Sequence, residues 1–241
     1  SYSVTGVQTC ALPISLTNIP RSEYPRPQFV RENWLCLNGQ WEFEIDHADT
    51  GIDRGLLERP LKGSITVPFC PESKLSGIEY VDFMNAVWYR REVIIPADWT
   101  EKNVLLHFQA VDYDATVWVN GKEMVRHRGA WCGFSCDITE VAKAGDKAVI
   151  VVRARDLKDE KTKPGGKQTF DQYANYRCFY NRTTGIWQTV WLEPVPAINL
   201  KRPKITPDTA NNRFVVTVPV TNSRAETKVR VVLSDAEGDI V

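Results

Sequence analysis

Apolar and polar side chains alternate along most of this 241-residue chain. The segment 40–46 (QWEFEID) is the clearest case, because Trp41, Phe43 and Ile45 alternate with polar residues. Alternation with a period of two places one set of side chains against a core and the other in solvent, which predicts a half-buried β-strand. Runs of β-branched and aromatic residues predict further strands over residues 87–95, 104–108, 148–152, 189–193, 214–220 and 228–233.

A β-hairpin is predicted over residues 115–125. Its two apolar runs are separated by Asn120-Gly121, a dipeptide that readily takes the two positive-φ positions of a type I′ turn. Helical character is limited to a short stretch over residues 138–144. Many short strands without alternating helices predict an all-β protein built as an antiparallel β-sandwich, and a jelly roll fits the number of strands.

Two stretches interrupt the strand pattern and set the predicted domain organisation. Residues 154–176 lack periodicity, which predicts a long loop, and long loops in compact domains are usually functional or disordered. A series of prolines beginning at Pro194 predicts a connector, with a domain boundary near residue 198. We therefore expect one sandwich over residues 16–198. The remaining 199–241 are too short for the roughly seven strands of an immunoglobulin-like sandwich, so this second domain is expected to be incomplete.

Residues 1–15 (SYSVTGVQTCALPIS) fit neither sandwich. The stretch 4–14 resembles translated sequencing-adapter read-through, which favours a foreign tail. A disordered natural terminus is the alternative, and both interpretations predict no function for these residues.

Composition excludes several classes of partner. The chain has 30 Lys and Arg and 30 Asp and Glu, so no long-range field concentrates nucleic acid or anionic lipid at its surface. No apolar run reaches the roughly 18 residues that cross a bilayer, and no signal peptide is recognisable. We therefore expect no nucleic-acid partner and no membrane span, and the compartment stays open between cytoplasm and periplasm.

The six cysteines are too scattered for a disulfide-built scaffold, so free thiols are predicted. Cys132 and Cys136 lie close in sequence, but no second Cys/His pair completes a tetrahedral zinc site. No metal site is predicted.

Five segments resemble glycoside hydrolase family 2, the β-galactosidase/β-glucuronidase class, and they occur in that family's order. They are LNGQWEF at 37–43, VPF at 67–69, WYRR at 88–91, VWVNG at 117–121 and GIWQTVWLE at 185–193. The resemblance extends over residues 16–241, and the last segment is the most diagnostic.

The resemblance implies an order of domains and a chemistry. In this family a jelly-roll, galactose-binding-like domain precedes an immunoglobulin-like domain and a (β/α)8 barrel, so the chain is expected to end inside the second domain. The family hydrolyses β-galactosides, β-glucuronides or related sugars with retention, using two carboxyl groups on the barrel. These are expected beyond residue 241, so no catalytic residue and no cofactor are assigned here. The implied partner is a carbohydrate substrate bound mainly by the barrel, and the resemblance allows a homo-oligomer of the parent protein.

Acidic residues of the chain offer an alternative source of acid–base chemistry. Asp112 and Asp114 are two residues apart at the start of a strand, which predicts that their side chains face the same way. Asp156, Asp159 and Glu160 lie in the long loop. Neighbouring carboxyl groups can divide acid and base roles when their environments separate their pKa values. Solvated acids are nevertheless the preferred interpretation, because nothing nearby indicates a substrate cleft.

Five polar residues are candidates for sugar binding, because the first domain of the resembled family lends polar groups to the edge of the active site. Asn85 lies where some relatives present an asparagine to the terminal sugar. Lys167, Gln168, Arg182 and Thr184 lie in a region that approaches the substrate in relatives. Amide and guanidinium groups suit this task because they offer directed hydrogen bonds to hydroxyl groups. The alternative is that these residues only fix the packing of loops and domains.

Four tryptophans occupy inward positions of alternating strands, which predicts core packing rather than sugar stacking. They are Trp41, Trp88, Trp118 and Trp191. The alternation does not predict whether Trp131 and Trp187 are buried or exposed.

The sequence thus predicts the non-catalytic N-terminal portion of a retaining glycoside hydrolase, inactive by itself. A stand-alone carbohydrate-binding module is the alternative, although a free module is not expected to end partway through a second sandwich. A purely structural or interaction domain is the third hypothesis.

Overall fold

The computed structural model describes residues 19–158, 160, 162–169, 177–234 and 238–240. The predicted tail, 1–15, and Asp159 lie outside these residues. The chain divides into two compact units between Val195 and Pro196. In the described part of the chain, no helix is long and apolar enough to span a membrane.

The first unit is built from short strands. They are β1 Leu35–Cys36, β2 Gly39–Asp46, β3 Gly63–Val67, β4 Ala86–Ile94, β5 Asn103–Phe108, β6 Val111–Asp112, β7 Asp114–Val119, β8 Lys122–Arg128, β9 Phe134–Asp137, β10 Lys147–Arg155, β11 Gly185–Ile186 and β12 Val190–Val195.

These strands form two main antiparallel sheets. One has the order β3-β2-β4-β10-β7-β8, the other has the order β1-β12-β5-β9, and β6 pairs separately with β11. Alternate side chains of both sheets meet in one core, to which β2 and β4 contribute Phe43 and Tyr89, and β5 and β12 contribute Leu106 and Leu192. The predicted all-β sandwich is confirmed.

The predicted hairpin is also present. Asn120 and Gly121 have φ values of 49° and 80°, as a type I′ turn requires. The Asn120 side chain ties the turn to its neighbours, because its Nδ2 donates to the Val141 carbonyl (2.8 Å) and its Oδ1 accepts from the Val149 amide (2.8 Å).

The helix-like stretch 138–144 is a single turn rather than a helix. The amides of Val141 and Ala142 both donate to the Ile138 carbonyl, at 3.0 and 2.9 Å. The turn is not continued because Gly145 adopts φ of 84° and leads the chain into β10. The helices of the described residues are two short 3₁₀ segments, Lys74–Ser76 and Thr209–Asn211.

The four predicted core tryptophans are buried, but only Trp41 belongs to the core between the sheets. Trp88 and Trp118 stack at 5.7 Å on the other face of the larger sheet, in a cluster with Leu56 and Leu61. Their predicted inward orientation is wrong, because a loop covers this second face as well. Alternation along a strand cannot distinguish the two faces when both are covered.

Trp191 is likewise outside the central core and lies beneath the N-terminal segment, residues 19–34. Its ring stacks on the His107 imidazole at 4.7 Å, and the Arg26 guanidinium lies 4.7 Å from the ring centroid. Both faces of this sheet are therefore covered too.

The N-terminal segment is held by one buried carboxylate, Glu193 of β12. Glu193 is 1% exposed, and its Oε1 accepts hydrogen bonds from the Tyr24 hydroxyl (2.6 Å) and the Trp191 indole (2.7 Å). Its Oε2 lies 3.0 Å from Arg31 Nε and 3.1 Å from His107 Nε2. One acid thus joins the N-terminal segment to two strands of the sheet.

The second unit contains β13 Asn199–Leu200, β14 Lys204–Asp208, β15 Arg213–Thr217, β16 Val220–Thr221, β17 Leu233–Ser234 and β18 Asp239–Ile240. The strand predicted over 214–220 is divided between β15 and β16. The strand predicted over 228–233 is wrong except at Leu233. No described strand runs beside 228–232, and β-propensity becomes strand only where a neighbour supplies hydrogen-bond partners.

The cysteines of the described residues are free, as predicted: Cys36, Cys70, Cys132, Cys136 and Cys178. Cys10 lies outside those residues.

Candidate functional site

A buried polar cluster lies where the long loop meets β6, β10 and β11. Its members are less than 10% exposed, and they are Glu72, Asp112, Asp156, Gln168, Arg182 and Thr184. The local chain order explains the convergence: Asp112 ends β6, Asp156 follows β10 and Thr184 precedes β11. Gly185 of β11 pairs with Asp112 of β6, which brings Thr184 and Asp112 together.

Gln168 connects the long loop to β6. Its Nε2 donates to Asp112 Oδ2 at 3.0 Å, and its Oε1 accepts from the Thr183 amide at 3.3 Å. Both ends of this amide are therefore engaged within the protein.

Thr184 lies between two carboxyl groups. Its hydroxyl is 2.7 Å from Glu72 Oε1 and 3.5 Å from Asp156 Oδ2, and its amide donates to Glu72 Oε2 at 3.3 Å. A hydroxyl has one proton to donate, so it donates to the closer acid and accepts from the other when that acid is protonated. Lys163 pairs with the second oxygen of Asp156.

Arg182 fixes the loop to the segment before β4. It donates to the Val81 carbonyl and lies 3.5 Å from the Thr169 hydroxyl. Its guanidinium also stacks 3.8 Å from the centroid of the Phe83 ring, which shields its charge from water.

Three carboxyl groups in this cluster have raised pKa values. Burial is the main cause at each, because a low-dielectric environment disfavours the charged form. Burial and then the charge of Asp156 raise the pKa of Asp112 to about 7. Burial also raises the pKa values of Glu72 and Asp156, against the opposing effects of Thr184 and Lys163 respectively. Asp112 consequently retains its proton up to about neutral pH.

The acidic residues considered as a source of acid–base chemistry differ in their burial. Asp112 and Asp156 are 3% and 6% exposed, so their interpretation as solvated turn acids is wrong. Asp114 instead lies 3.7 Å from both Arg128 and Arg155 and does not share the surroundings of Asp112. Its predicted common orientation with Asp112 fails because β6 ends at Asp112 and β7 begins at Asp114, so no single strand carries both.

The structure brings together three of the five candidate sugar-binding residues, namely Gln168, Arg182 and Thr184. Asn85 contributes through its backbone, because its carbonyl accepts from the Asp156 amide at 3.0 Å, while its side chain donates to the His47 carbonyl at 2.6 Å. Lys167 is adjacent to the cluster in sequence but its side chain is exposed.

Sequence reasoning missed Glu72 and Lys163. Glu72 follows the VPF motif in an irregular segment, and its contact with Thr184 spans 112 positions of the chain. The only available signal was a charged residue close to a diagnostic motif. That signal does not identify a buried partner.

The space beside the cluster is small. A cavity of about 20 Å³ is bordered by Phe83, Lys163, Gln168 and Arg182, which is room for one water molecule and not for a sugar ring. Within the described residues, no three His, Cys, Asp or Glu side chains are grouped so that they could hold a metal ion. The side chains of the cluster therefore bind one another and leave no space for a sugar beside them.

The glycine of the GIWQTVWLE motif is required by close packing. Gly185 has φ of 75°, and a Cβ added there would lie 2.2 Å from Tyr89 Oη, the group that accepts a hydrogen bond from the Ile186 amide. We expect Gly185→Ala to lower the free energy of unfolding by about 2–4 kcal/mol, measured by urea denaturation.

Gly77→Ala is the matched control. Gly77 has a similar φ of 81° but no atom within 4 Å of an added Cβ, so it incurs only the conformational cost of about 1–2 kcal/mol. Equal losses for the two variants would contradict the packing explanation.

Comparison with known proteins agrees with this architecture. The sequence model of "Glycosyl hydrolases family 2, sugar binding domain" matches residues 77–196. A beta-glucuronidase of Paenibacillus borealis is 29% identical over 228 residues, covering 89% of this chain and 38% of the relative. A beta-glucuronidase of Rattus norvegicus is 32% identical over 155 residues, covering 60% of this chain and 24% of the relative. The chain thus spans well under half the length of these relatives.

Solved structures show the same fold. The Lactobacillus rhamnosus beta-glucuronidase superposes with a TM-score of 0.67 at 27% identity, covering 87% of this chain and 36% of that one. A Ruminococcus gnavus beta-glucuronidase gives a TM-score of 0.62 at 22% identity, covering 85% of this chain and 35% of that one. With the motif order, the sandwich and the matched sugar-binding domain in agreement, the chain belongs to glycosyl hydrolase family 2.

Proposed function

We propose that this chain is the non-catalytic N-terminal portion of a retaining glycoside hydrolase that acts on β-glucuronides. The observation that carries this proposal is the alignment of 89% of the chain with only 38% of a Paenibacillus borealis beta-glucuronidase. In this proposal the catalytic carboxyl groups lie on a barrel outside the 241 residues. The first unit is the jelly-roll domain, and the second is part of the immunoglobulin-like domain.

Glucuronides are preferred over the β-galactosides that the sequence motifs also allow. Relatives from Paenibacillus borealis, Rattus norvegicus and Sus scrofa are all named beta-glucuronidase. A glucuronide differs from a galactoside in carrying a carboxylate, so the complete site has to neutralise one negative charge.

The candidate sugar-binding residues have two roles in this proposal. Gln168, Arg182 and Thr184 are hydrogen-bonded inside the domain, which supports a role in holding the long loop against β6 and β11. Lys167 is exposed, and in this proposal it is the member of the set that contacts the ligand. Asn85 positions Asp156 through its carbonyl group.

The test is hydrolysis of 4-nitrophenyl β-D-glucuronide and 4-nitrophenyl β-D-galactoside. The 241-residue chain is expected to release no nitrophenol above the buffer rate. A longer chain, extended along the reading frame of the source DNA, is expected to hydrolyse the glucuronide in preference to the galactoside.

Turnover by the 241-residue chain at an ordinary glycosidase rate would refute the assignment as non-catalytic. A stop codon directly after Val241, together with sugar binding and no turnover, would instead identify a stand-alone carbohydrate-binding module.

A further inference from the structure

The sequence contains two Asn-Gly dipeptides, Asn38-Gly39 and Asn120-Gly121, and both lie in the first unit. Asparagine is one of the thermolabile residues. A glycine that follows it has no side chain to shield its amide nitrogen, so this nitrogen can attack the asparagine side chain when the backbone is free to move. The two dipeptides share this chemistry, but the fold holds them differently.

The Asn120 side chain is exposed, so burial does not protect it. Backbone groups hold its amide instead: Nδ2 donates to the Val141 and Lys147 carbonyls at 2.8 and 3.2 Å, and Oδ1 accepts from the Val149 amide at 2.8 Å. The three partners belong to the turn over 138–144 and to β10. These contacts direct the side chain toward β10, and it has to leave all of them before its Cγ atom can meet the Gly121 nitrogen.

Asn38 is held more extensively. It is 1% exposed, its Nδ2 donates to the Pro20 and Arg21 carbonyls at 3.0 and 3.2 Å, and its Oδ1 accepts from the Val190 amide at 3.1 Å. Release of Asn38 therefore requires the N-terminal segment to leave the sheet, whereas release of Asn120 requires only that the hairpin turn separates from its neighbours. A smaller opening costs less free energy and occurs more often.

We propose that Asn120 is a deamidation site controlled by the fold, intact while the hairpin turn is held against β10 and converted when the turn opens. The Gly121 nitrogen attacks Asn120 Cγ, the Cγ–Nδ2 bond breaks, and Nδ2 leaves as ammonia with the proton of the Gly121 amide. Water then opens the resulting succinimide ring at either carbonyl and yields aspartate or isoaspartate. The inference does not depend on the proposed function.

The aspartate product cannot restore the original contacts. Asp-Gly still favours a type I′ turn, but a carboxylate only accepts hydrogen bonds and would face the Val141 and Lys147 carbonyl oxygens without a proton to donate. Asn120→Asp is therefore expected to lower the folding equilibrium constant by about tenfold, measured by urea denaturation. An unchanged equilibrium constant would overturn this consequence of the modification.

The main experiment incubates the 241-residue chain at mildly alkaline pH, folded and in concentrated urea, and follows the replacement of NH₂ by OH at each asparagine by peptide mass spectrometry. In urea, Asn38 and Asn120 are expected to convert at similar rates. In the folded chain we expect Asn120 to convert about tenfold more slowly than in urea, and Asn38 more slowly still. Equal rates for Asn120 with and without urea, or faster conversion of Asn38 than of Asn120 in the folded chain, would overturn the proposal.

Asp146→Ala tests the contacts that hold the turn without altering the dipeptide. Asp146 is exposed, and its Oδ2 accepts from the Lys143 amide at 2.9 Å, within the segment that supplies the partners of Asn120. Loss of this hydrogen bond is expected to speed conversion of Asn120 in the folded chain by about fivefold and to leave Asn38 unchanged.

Asp82→Ala is the matched control. Asp82 is also exposed, and its Oδ1 accepts from the Phe83 amide at 2.6 Å, in a segment that does not contact Asn120. Equal rates of Asn120 conversion in Asp82→Ala and Asp146→Ala would contradict protection by the backbone contacts. Urea denaturation of both variants measures whether the whole fold, rather than the turn alone, has been destabilised.

Discussion

Glu193→Ala is expected to lower the free energy of unfolding by about 3–5 kcal/mol, because it removes one partner from a buried charged network. Tyr24, Trp191, Arg31 and His107 all direct polar groups at this carboxylate within 3.1 Å. Alanine would leave these groups buried around an empty acceptor position. Urea denaturation of the purified variant measures the loss.

Glu140→Ala is the matched control for this prediction. Glu140 is 79% exposed and pairs with Lys122 across the surface, where water screens the ion pair, so its removal is expected to change the free energy of unfolding very little. Similar losses for Glu140→Ala and Glu193→Ala would contradict the role assigned to the buried network.

Because of the same network, the free energy of unfolding is expected to fall at acidic pH. Burial alone would raise the pKa of Glu193, but contacts from His107, Tyr24 and Trp191 outweigh it and lower the pKa to about 2. A carboxyl with a depressed pKa in the folded state stabilises the fold above its unfolded value and loses that contribution as pH falls through the folded value. Titration of Glu193 should therefore remove about 3 kcal/mol of stability from the unchanged chain between pH 4.5 and pH 2, a contribution that Glu193→Ala no longer shows.

The titration of His107 is also expected to lower the stability of the fold as the pH falls. The Arg26 guanidinium can only donate, and it lies 3.3 Å from His107 Nδ1, so this nitrogen accepts and the proton is on Nε2, which faces Glu193. Burial lowers the pKa of His107, so the folded state favours the neutral ring. Protonation of His107 in the unfolded chain then adds to the destabilisation as the pH falls below about 6.5.

Asp112→Asn is expected to increase the free energy of unfolding by about 2–4 kcal/mol at pH 8 and to change it little at pH 4. The pKa of Asp112 is raised to about 7 in the fold, from an ordinary value of 3.8. The folded state therefore retains a proton that the unfolded chain has released, and stability falls as the pH rises from 3.8 toward 7. Asparagine removes the buried charge and keeps an oxygen that accepts from Gln168.

Urea denaturation at pH 4 and pH 8 measures this effect. Asp114→Asn is the control two residues away, because Asp114 is 23% exposed and lies beside arginine side chains. Its neutralisation is expected to change stability by less than about 1 kcal/mol at either pH. A pH-independent effect of Asp112→Asn would refute the buried, protonated acid.

The sequence by itself determined the elements whose signals are local. Alternation identified β2, and runs of β-branched and aromatic residues identified β4 and β5, each to within one residue at either end, because both signals follow from the geometry of a single strand. Asn120-Gly121 predicted its turn because few residues tolerate two consecutive positive φ values. The order of five motifs identified the family, and Gly185 within the last motif corresponds to a position where a side chain does not fit.

Only the tertiary structure determined which faces of the two sheets are covered and which polar side chains are buried. Trp88, Trp118 and Trp191 follow the same alternation as Trp41 but pack on the opposite faces, because loops and the N-terminal segment bury those faces too. The contact between Glu72 and Thr184 joins residues 112 positions apart. Such distant contacts bury Asp112 and thereby keep it protonated. They also engage the side chains of Gln168, Arg182 and Thr184. No local repeat in a sequence encodes contacts of this kind.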